Sequence, residues 1–405
     1  MTILPPPLRQ AWRLIPRRAR RALFIKAYDL AVRSFPPPPA APPPVAVAGV
    51  LRSASGLGES ARLSLAALQD AGIDCSAADL SDSLLGTGDL GQPLNPSTPS
   101  ARPGPGALIL HVSGPFVPYA LHWLGRPLVE GKRIIGVWHW ELPRLPAEWR
   151  VGCRLVHEIW TPSAFVASAV RQEFAGPVRI IPHAVSLPEN LDPLPWREMA
   201  GQGFLAVTMF NMASGFERKN PLAVIKAFRH AFGDDPKACL IVKMMHGGVW
   251  PEGLRQLRAA IDGADNIKLV TQTLTRQQVF SLLAAADTVM SLHRSEGFGL
   301  LAAEAMVLGK PVIVSDWSST AEFLNRENGC PVPCRLIPAV DPQGNYHFPD
   351  QSWAEPDIRA AAEWLHRLRD NPELRLAIGH RAREGARQFS SEVYAARLNQ
   401  AFSLP

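Results

Sequence analysis

The sequence predicts an α/β protein built from two domains, each a parallel sheet covered by helices. Its 405 residues exceed the roughly 100–200 residues of a single domain. Short apolar segments, such as 45–50 and 107–112, alternate with segments of helical periodicity, which is typical of βαβ units. The same alternation begins again at 204–210, after a proline-rich segment at 187–198 that we interpret as the interdomain linker.

The elements follow from this alternation, domain by domain. The expected divisions are a basic arm and proline-rich linker at 1–44, a first domain at 45–190, a second at 200–385, and a C-terminal helix at 386–405 that crosses back to the first domain. After its first strand, the first domain is expected to have a Gly/Ser turn, a helix at 59–71 and strands at 107–112, 133–138, 158–161 and 178–182. In the second domain we expect strands at 204–210, 238–244, 267–270, 288–292 and 311–315, with helices at 221–232, 252–260, 276–285, 299–308 and 319–324.

The positive charge is concentrated at the N-terminus. Residues 1–35 hold eight Lys or Arg and one Asp, so their net charge, 8 − 1 = +7, exceeds the net charge of +6 of the whole chain. The remainder is therefore close to neutral, and a general nucleic-acid surface is not indicated. We predict that 1–35 form a basic helical arm that contacts an anionic membrane surface.

Hydropathy and cysteine content point to the cytoplasm. No apolar run approaches the roughly 18–20 residues of a membrane-spanning helix, and no secretory signal pattern is present. Five cysteines are an odd and sparse set that suits a reducing compartment. Cys330 and Cys334 form a C-x3-C pair, but two further ligands are lacking nearby, so we expect packing or loop roles and no bound metal.

The segment 295–315 has the pattern that carries the most chemistry. A strand leads into a turn with two glycines, Gly297 and Gly299, which opens a helix. Glycines let a ligand approach the backbone, and a helix N-terminus offers free N–H groups to phosphate. Glu296 lies at the carboxyl edge of the strand, where open α/β sheets bind ligands, and Glu304 lies eight residues later on the helix. Two carboxylates at this spacing suit the hydroxyls of a sugar and a ribose.

This block resembles the donor-site signature of glycosyltransferase family 4, in which an E-x7-E pair stands in an E-G-F-G-L…E-A-M…G-x-P-V-I-x-S frame. The resemblance covers about residues 45–390. It implies the GT-B fold, two Rossmann-like domains facing across a cleft, and transfer that retains anomeric configuration. It also implies that Glu296 is catalytic and contacts the transferred sugar, that Glu304 binds the ribose, and that the turn residues Gly297, Phe298, Gly299 and Leu300 bind the donor.

The family places a basic pair after the first strand of the second domain, where it holds the donor diphosphate. Lys219 matches this position, but the usual earlier arginine is absent, since Asn-Met-Ala-Ser stands at 211–214. Arg218 is the proposed substitute, with Lys243 or Arg294 as further candidates. The alternative for Lys219 and Arg218 is an ordinary solvated loop charge.

In the first domain, two motifs match the family's cleft loops. Gly56 and Gly58 lie in a Gly/Ser loop directly before a helix, which implies donor binding; a plain tight turn is the alternative. His139, within Trp-His-Trp-Glu, matches a histidine that lies near the reacting sugar, and we assign it a catalytic hydrogen-bonding role. For His111 and His183, which also follow strands, we expect core or loop positions.

The predicted function is sugar transfer from a nucleoside diphosphate sugar to an acceptor hydroxyl, without a metal or cofactor, in cell-surface polysaccharide or glycolipid synthesis. The expected partners are the donor, a glycan or lipid-linked acceptor and no nucleic acid, and the expected location is the cytoplasm, peripheral on the inner membrane face. The alternatives are a nucleotide-sugar epimerase or phosphorylase on the same fold, or a non-catalytic nucleotide-sugar-binding scaffold.

Overall fold

The computed structural model describes residues 43–85, 98–192, 194–201 and 203–403, together with Leu23 and Pro36. The chain divides into two compact units. The first unit comprises the chain up to Trp140, Arg144–Ala184 and the segment from Ser391; the second comprises Glu141–Pro143 and Val185–Ser390. The predicted basic arm lies outside the described residues, apart from Leu23.

The first unit contains a six-stranded parallel sheet. Its strands are β1 Val45–Gly49, β2 Cys75–Asp79, β3 Gly106–His111, β4 Lys132–Val137, β5 Glu158–Thr161 and β6 Val178–Ile180. They lie in the order β2-β1-β3-β4-β5-β6. β1, β3 and β4 are buried along their whole length, as expected of strands covered on both faces. The chain adds β2 on one side of β1 and β3 on the other, so the strand order changes direction between β1 and β3. Open α/β sheets bind ligands at such a switch point.

Short helices connect these strands. They are α1 Gly56–Asp70, α2 Ser81–Leu85, α3 Val117–Leu124, α4 Arg126–Val129, α5 Arg150–Cys153 and α6 Ala164–Arg171. Two begin at serine caps, because Ser55 Oγ accepts the Gly58 N–H and Ser163 Oγ accepts the Val166 N–H. The cap at Ser55 fixes the start of α1 directly beside the switch point.

The second unit contains another six-stranded parallel sheet. Its strands are β7 Phe204–Asn211, β8 Ala238–Met245, β9 Ile267–Val270, β10 Thr288–Ser291, β11 Val312–Ser315 and β12 Cys330–Val332. The order is β12-β11-β10-β7-β8-β9. Counted from the first strand of the unit, this is the 3-2-1-4-5-6 order of dinucleotide-binding folds, with the switch point between β7 and β10.

Helices cover both faces of this sheet and bury two apolar cores. They are α7 Trp196–Met199, α8 Phe216–Lys219, α9 Pro221–Phe232, α10 Pro251–Ile261, α11 Arg276–Ala285, α12 Leu300–Val307, α13 Ile358–Asp370 and α14 Pro372–Gly385. Alternate residues of β8 serve the two cores: Leu240 and Val242 pack with α9 and α13, whereas Ile241 packs with α11 and α12.

Two parts of the second unit differ from the sequence-based expectation. An antiparallel hairpin of β13 Cys334–Ala339 and β14 Phe348–Pro356 was not expected, because its polar, proline-containing strands lack a regular apolar alternation. The helix expected at 319–324 is wrong: Ser318–Glu322 forms a 3-10 turn. The turn is five residues long, and it ends where the Phe323 N–H donates to the Thr320 carbonyl, three residues back, which is the 3-10 pattern.

The last helix, α15 Ser391–Ser403, belongs to the first unit. Tyr394 hydrogen-bonds with Ser64 Oγ at 2.8 Å, and the Phe402 ring lies 5.7 Å from that of Trp160. None of the described helices combines the length and apolar character that crossing a membrane requires. All five cysteines have free thiols.

Candidate active site

The loops after β7 and β10 meet at the switch point of the second sheet. The two strands pair in parallel, with Thr288 opposite Ala206 and Val289 opposite Val207. Consequently their carboxyl ends lie side by side. The loop after β7 leads into α8, which ends at Lys219, and the loop after β10 carries Glu296.

Glu296 is buried, and its backbone is fixed by two serines of the following 3-10 turn. Its N–H donates to Ser318 Oγ at 2.9 Å, and the Ser319 hydroxyl donates to its carbonyl at 2.8 Å. Its carboxylate accepts hydrogen bonds from Lys219 Nζ at 2.5 Å and Arg218 Nη1 at 3.0 Å. The structure therefore brings three of the predicted site residues into one ion cluster.

The charge state of this cluster follows from its contacts. Burial favours the neutral acid, but the positive charges of Lys219 and Arg218 outweigh it and hold the pKa of Glu296 at about 2. Burial lowers the pKa of Lys219, and the neighbouring Arg218 lowers it further, while Glu296 opposes both. Glu296 is therefore an anion at neutral pH.

Arg218 is enclosed within the second unit. Its Nε donates to the Ser214 carbonyl at 3.1 Å and its Nη1 to the Ser295 carbonyl at 2.9 Å. Its guanidinium lies 5.1 Å from the centre of the Tyr346 ring, and Glu141, also of this unit, is 3.7 Å away. With these groups engaged, Arg218 is placed as a counter-ion inside the protein, whereas the Lys219 side chain remains 23% exposed.

Arg294 and Lys243, the two further cations suggested by the sequence, differ in whether they have ion-pair partners among the described residues. Arg294 forms ion pairs with Glu217 at 2.5 Å and Glu355 at 2.8 Å and lies over the Trp353 ring. Lys243, on β8, is 2% exposed and has no hydrogen-bond or ion-pair partner among the described residues. Burial lowers the pKa of Lys243 to about 8. Arg294 is therefore occupied, whereas Lys243 retains an unpaired ammonium.

The turn from Gly297 to Leu300 presents mainly backbone. Gly299 has a φ of 94°, and a Cβ there would lie 2.4 Å from Thr320 Cγ2, so both conformation and space require glycine. The Phe298 side chain is 5% exposed and packs in the core. Any contact of Phe298 with a donor would therefore use its backbone.

Glu304 lies on α12 and has a different partner from Glu296. It is buried, and its Oε1 is 3.5 Å from Arg276 Nη1, at the start of α11. Arg276 is itself anchored by the Ser186 carbonyl at 2.8 Å and by the Phe280 ring, 4.8 Å away. The sequence reasoning missed Arg276, although an arginine directly after a helix-capping threonine, Thr275, could have indicated a functional position.

At the switch point of the first unit, Gly56 and Gly58 have different surroundings. Gly56 is exposed, with open space where a Cβ would be, and is the first residue of α1. A Cβ on Gly58 would lie 2.4 Å from the Ser53 carbonyl oxygen. Tight packing therefore explains Gly58, whereas Gly56 lies at the open N-terminus of a 15-residue helix.

His139 belongs to a buried hydrogen-bonded chain at the same edge. Its Nε2 lies 2.7 Å from His183 Nε2, and His183 Nδ1 lies 3.5 Å from Ser60 Oγ. Ser60 Oγ in turn lies 2.9 Å from His111 Nδ1. The core positions expected for His111 and His183 are correct in burial, but their link to His139 was missed. The signal in the sequence was that each of the three histidines lies at or shortly after the carboxyl end of a strand.

Burial disfavours the charged form of all three imidazoles. It lowers the pKa of His111 to about 3 and that of His139 to about 4. The pKa of His183 also lies well below its usual value, because of burial and then the neighbouring histidines. Within the residues the structure describes, no group of three or more His, Cys, Asp or Glu side chains has an arrangement that could hold a metal ion.

The fold is that of the GT-B glycosyltransferases. Anabaena HepE, solved in complex with UDP and glucose, superposes with a TM-score of 0.64 at 13% identity, covering 89% of this chain and 99% of HepE. Sucrose-phosphate synthase from Thermosynechococcus elongatus superposes with a TM-score of 0.64 at 17% identity, covering 89% and 98%. These similarities confirm the prediction of two Rossmann-like domains.

Sequence comparison identifies the family. A model of the family described as "Family 4 Glycosyltransferase in conflict systems" matches residues 164–395, more than half of the chain. The protein belongs to this family, which confirms the resemblance to glycosyltransferase family 4. The D-inositol 3-phosphate glycosyltransferase of Saccharomonospora viridis is 28% identical over 155 residues, 37% of this chain. The match spans about a third of that relative, 31% of its length.

Proposed function

We propose that the protein transfers a sugar from a nucleoside diphosphate sugar to an acceptor hydroxyl, with retention of anomeric configuration. The observation that carries this proposal is the pairing of Glu296 with Lys219 at the switch point of the second sheet. Open α/β sheets bind nucleotides at that point. At that point Glu296, the proposed partner of sugar hydroxyls, accepts a hydrogen bond from Lys219, the proposed partner of phosphate.

In this proposal Lys219 stabilises the diphosphate that leaves the sugar. Its ammonium is the partly exposed cation of the cluster, and the backbone N–H groups of the turn 297–300 add positive potential from the start of α12. Lys219 is held by Glu296, so the cation is already in place before the donor arrives. Arg218 supports this arrangement from inside by neutralising Glu296 when Lys219 turns toward phosphate.

Glu296 is proposed to bind the transferred sugar, and Glu304 the ribose. Glu296 is anionic at neutral pH because its pKa is held at about 2, so it accepts hydrogen bonds from sugar hydroxyls. Glu304 is orientated by Arg276, on a separate helix, which suits contact with a different part of the donor. His139 is proposed as a hydrogen-bond partner of the reacting sugar.

Two further proposals concern the acceptor and the location of the protein. We propose a glycan or lipid-linked acceptor in cell-surface polysaccharide or glycolipid synthesis, with the basic segment 1–35 contacting the inner membrane face from the cytoplasm. HepE was solved with UDP and glucose, and a structure of Staphylococcus aureus TarM contains UDP and α-GlcNAc-glycerol. These complexes support a nucleotide-sugar donor and a hydroxyl acceptor.

A panel of nucleoside diphosphate sugars tests the proposal directly. Saturation at one hundred times Kd should stabilise the fold by about 2.7 kcal/mol, a clear rise in melting temperature. The stabilising donor is then incubated with acceptors, and the anomeric configuration of the product is read by NMR. Inversion would contradict retention. A non-catalytic scaffold would be favoured if a donor binds but its sugar is neither transferred to any acceptor of a broad panel nor slowly hydrolysed.

Metal independence is tested in the same assay. The proposal expects full turnover in excess EDTA, because Lys219 and backbone N–H groups supply the positive potential for the diphosphate. Activity lost in EDTA and restored by manganese would contradict this part.

A further inference from the structure

The segment that carries Lys219 is a helix of a single turn. α8 has four residues, Phe216–Lys219, and lies between two residues of positive φ, Gly215 at 95° and Asn220 at 51°. A helix of one turn fixes several dihedral angles for very few hydrogen bonds, so it is not stable by itself. The placement of Lys219 therefore depends on the contacts that α8 makes with other parts of the second unit.

Gln343 caps this helix from the loop 340–347 between β13 and β14, which we call the hairpin tip. The N-cap residue of α8, Gly215, has no side chain to serve as a cap. Instead, Gln343 Oε1 accepts the Phe216 N–H at 3.0 Å, and Gln343 Nε2 donates to the Met212 carbonyl at 3.0 Å. The two ends of one amide thus satisfy a free N–H at the start of the helix and hold the loop that leads into it.

The Tyr346 ring packs against the same turn. A Cβ on Gly215 would lie 3.2 Å from Tyr346 Cδ2 and Cε2, so the ring lies directly against this glycine. The Arg218 guanidinium is 5.1 Å from the ring centre, which is within the range of a cation–π contact. The Tyr346 hydroxyl donates to Glu141 Oε2 at 2.8 Å and so fixes the orientation of the ring. Tyr346 therefore limits where Gly215 and Arg218 can move.

Asp341 gives the hairpin tip a fixed shape. Its carboxylate accepts the N–H groups of Gln343 at 3.0 Å and of Asn345 and Tyr346 at 2.8 Å. Asp341 is 2% exposed, so these hydrogen bonds are shielded from water. The tip therefore presents Gln343 and Tyr346 to α8 in a set arrangement.

The hairpin also contacts the loop that carries Glu296. The Ala354 N–H, on β14, donates to the Arg294 carbonyl at 2.8 Å. Glu355, the next residue of β14, pairs with Arg294 at 2.8 Å, and Arg294 pairs with Glu217 of α8 at 2.5 Å. The hairpin therefore connects α8 to the loop after β10.

We propose that Gln343 and Tyr346 are positioning residues for sugar transfer, which hold α8 so that Lys219 stays at hydrogen-bond distance from Glu296. The inference rests on the proposed function of these two charged residues. A displacement of roughly 1 Å at a catalytic group can lower a rate about a hundredfold. Since Lys219 is proposed to stabilise the leaving diphosphate, the hairpin tip should affect kcat more than donor KM.

Substitutions of similar length at Gln343, made in the full-length protein, test the cap. Gln343→Met removes both hydrogen bonds and should lower kcat about tenfold while changing donor KM less than about threefold. Gln343→Glu keeps an acceptor for the Phe216 N–H and should stay within about threefold of the wild-type kcat. A Gln343→Glu variant as slow as Gln343→Met would overturn the capping role.

Two substitutions at Tyr346 separate its ring from its hydroxyl. Tyr346→Phe keeps the ring against Gly215 and Arg218, so its kcat should stay within about threefold of wild type. Tyr346→Ala removes the ring and should lower kcat about tenfold, again with a smaller change in donor KM. A wild-type kcat in Tyr346→Ala would contradict the role of the ring.

Asn371→Ala is the matched control for stability. Asn371 caps α14 in the same unit, because its Oδ1 accepts the Leu374 N–H at 2.9 Å. This cap lies near the start of β10, since Arg375 of α14 is 3.7 Å from Asp287, whereas α8 lies at the carboxyl edge of the sheet. Asn371→Ala should lower the melting temperature but leave kcat unchanged. An equal fall of kcat in Asn371→Ala and Gln343→Met would indicate general destabilisation and overturn the proposal.

Hydrogen–deuterium exchange of the ligand-free protein follows α8 without catalysis. The peptide spanning 212–220 should exchange faster in Gln343→Met and Tyr346→Ala than in wild type, whereas the peptide containing α12 should not change. Unchanged exchange of 212–220 would refute the inference even if no donor were found. Faster exchange with an unchanged kcat would also overturn it, because the hairpin tip would then support only the fold. Full activity of Lys219→Ala would instead contradict the role of Lys219 in the proposed function.

Discussion

Arg218 and Lys219 are adjacent in the chain but serve Glu296 in different ways. Arg218 is enclosed by protein carbonyls and the Tyr346 ring, whereas Lys219 is partly exposed. Removing one partner of a buried ion pair typically costs about 3–5 kcal/mol, because the remaining charge stays buried. At the residue scale, this cluster therefore links stability to the placement of Lys219, the cation proposed to bind phosphate.

The two glutamates should be separable by binding and turnover. We expect Glu304→Gln to weaken binding of the bare nucleoside diphosphate about ten- to a hundredfold, since a charge-assisted hydrogen bond to ribose contributes roughly 1.5–3 kcal/mol. Glu296→Gln should depress kcat more than it weakens nucleotide binding, because its proposed partner is the sugar, although the variant also loses the anion that holds Lys219. Isothermal calorimetry with the nucleotide and steady-state kinetics measure the two effects.

Glutamine suits the comparison at Glu304, since its helix propensity is close to that of glutamate and α12 stays intact. For Glu296→Gln, thermal unfolding is measured alongside, because this variant removes the negative charge beside Arg218 and Lys219. Loss of nucleotide binding in Glu296→Gln together with retention in Glu304→Gln would reverse the two roles. Normal turnover in both variants would place the donor site elsewhere.

Strand β8 contains a buried lysine, Lys243, whose place in an apolar strand is not explained by the local sequence pattern. Lys243 occupies the position after Ile241 on the face that packs with α11 and α12, yet an ammonium there has no partner in the described part of the chain. A buried unpaired charge opposes folding. The strand is stable because its other residues supply the apolar core.

Lys243→Met should therefore stabilise the ligand-free protein. The folded pKa of about 8 lies below the ordinary lysine value of 10.5, so the folded state binds fewer protons than the unfolded state between these pH values. The penalty, roughly 3 kcal/mol, is fully present below pH 8 and disappears as the pH rises to 10.5. Urea unfolding at pH 7 and pH 10 should show a large difference between variant and wild type that shrinks at high pH.

Lys268→Met on neighbouring β9 is the control, because that lysine is partly exposed. Equal stabilisation by both substitutions, or a Lys243→Met gain that does not depend on pH, would contradict the assignment of an unpaired buried charge. If Lys243→Met also weakens binding of the nucleotide, the Lys243 ammonium contributes to the donor site.

The turn before α12 should tolerate no side chain at Gly299. Gly299→Ala combines a left-handed φ of 94° with a 2.4 Å contact to Thr320 Cγ2. We expect a loss of stability of about 2–5 kcal/mol, from roughly 1–2 kcal/mol of backbone strain and a further 1–3 kcal/mol of overpacking, together with weaker donor binding. Thermal unfolding and calorimetry measure both quantities.

Gly263→Ala separates the two contributions. Gly263 also has a left-handed φ, 71°, but open space around its Cβ position. It should therefore lose only the backbone part and keep donor binding. Equal losses at both glycines would mean that the contact with Thr320 has no energetic consequence.

At the scale of the whole molecule, charge is distributed unevenly along the chain. Segment 1–35 carries eight basic residues and one acid, and the rest is nearly neutral. Pro44, by contrast, belongs to the folded part, since its carbonyl accepts the Ala107 N–H at 3.1 Å. Our prediction is that the folded part begins at Pro43 and does not require the residues before it.

Deletion of residues 1–42 should leave the melting temperature and donor affinity unchanged but reduce binding to vesicles with anionic lipid. Each basic residue near such a surface contributes about 1 kcal/mol, screened by salt. Vesicle sedimentation at low and high salt, with neutral vesicles as control, measures this. Equal binding with and without the segment, or binding that ignores salt, would contradict the membrane proposal.

The α/β class, most strand positions and the proposed donor-site block around Glu296 could be predicted from the sequence. Apolar strands buried on both faces and helices with a 3.6-residue period leave local patterns, and glycines at tight turns do so too. The family match over 164–395 agrees with these patterns. The hairpin β13–β14 left no such pattern, because its strands are mostly polar, and it became visible only in the fold.

Which charges and hydrogen-bonding groups contact one another could be read only from the fold. Arg218 and Lys219 are 78 and 77 residues from Glu296, and Ser60 is 123 residues from His183. Parallel strands place their carboxyl ends at one edge whatever the chain distance, so such contacts depend on strand order rather than on sequence spacing. That order makes Arg218 an internal counter-ion, leaves Lys243 without a partner among the described residues, and joins three histidines through one serine. The reason is that side-chain partners are set by packing in three dimensions.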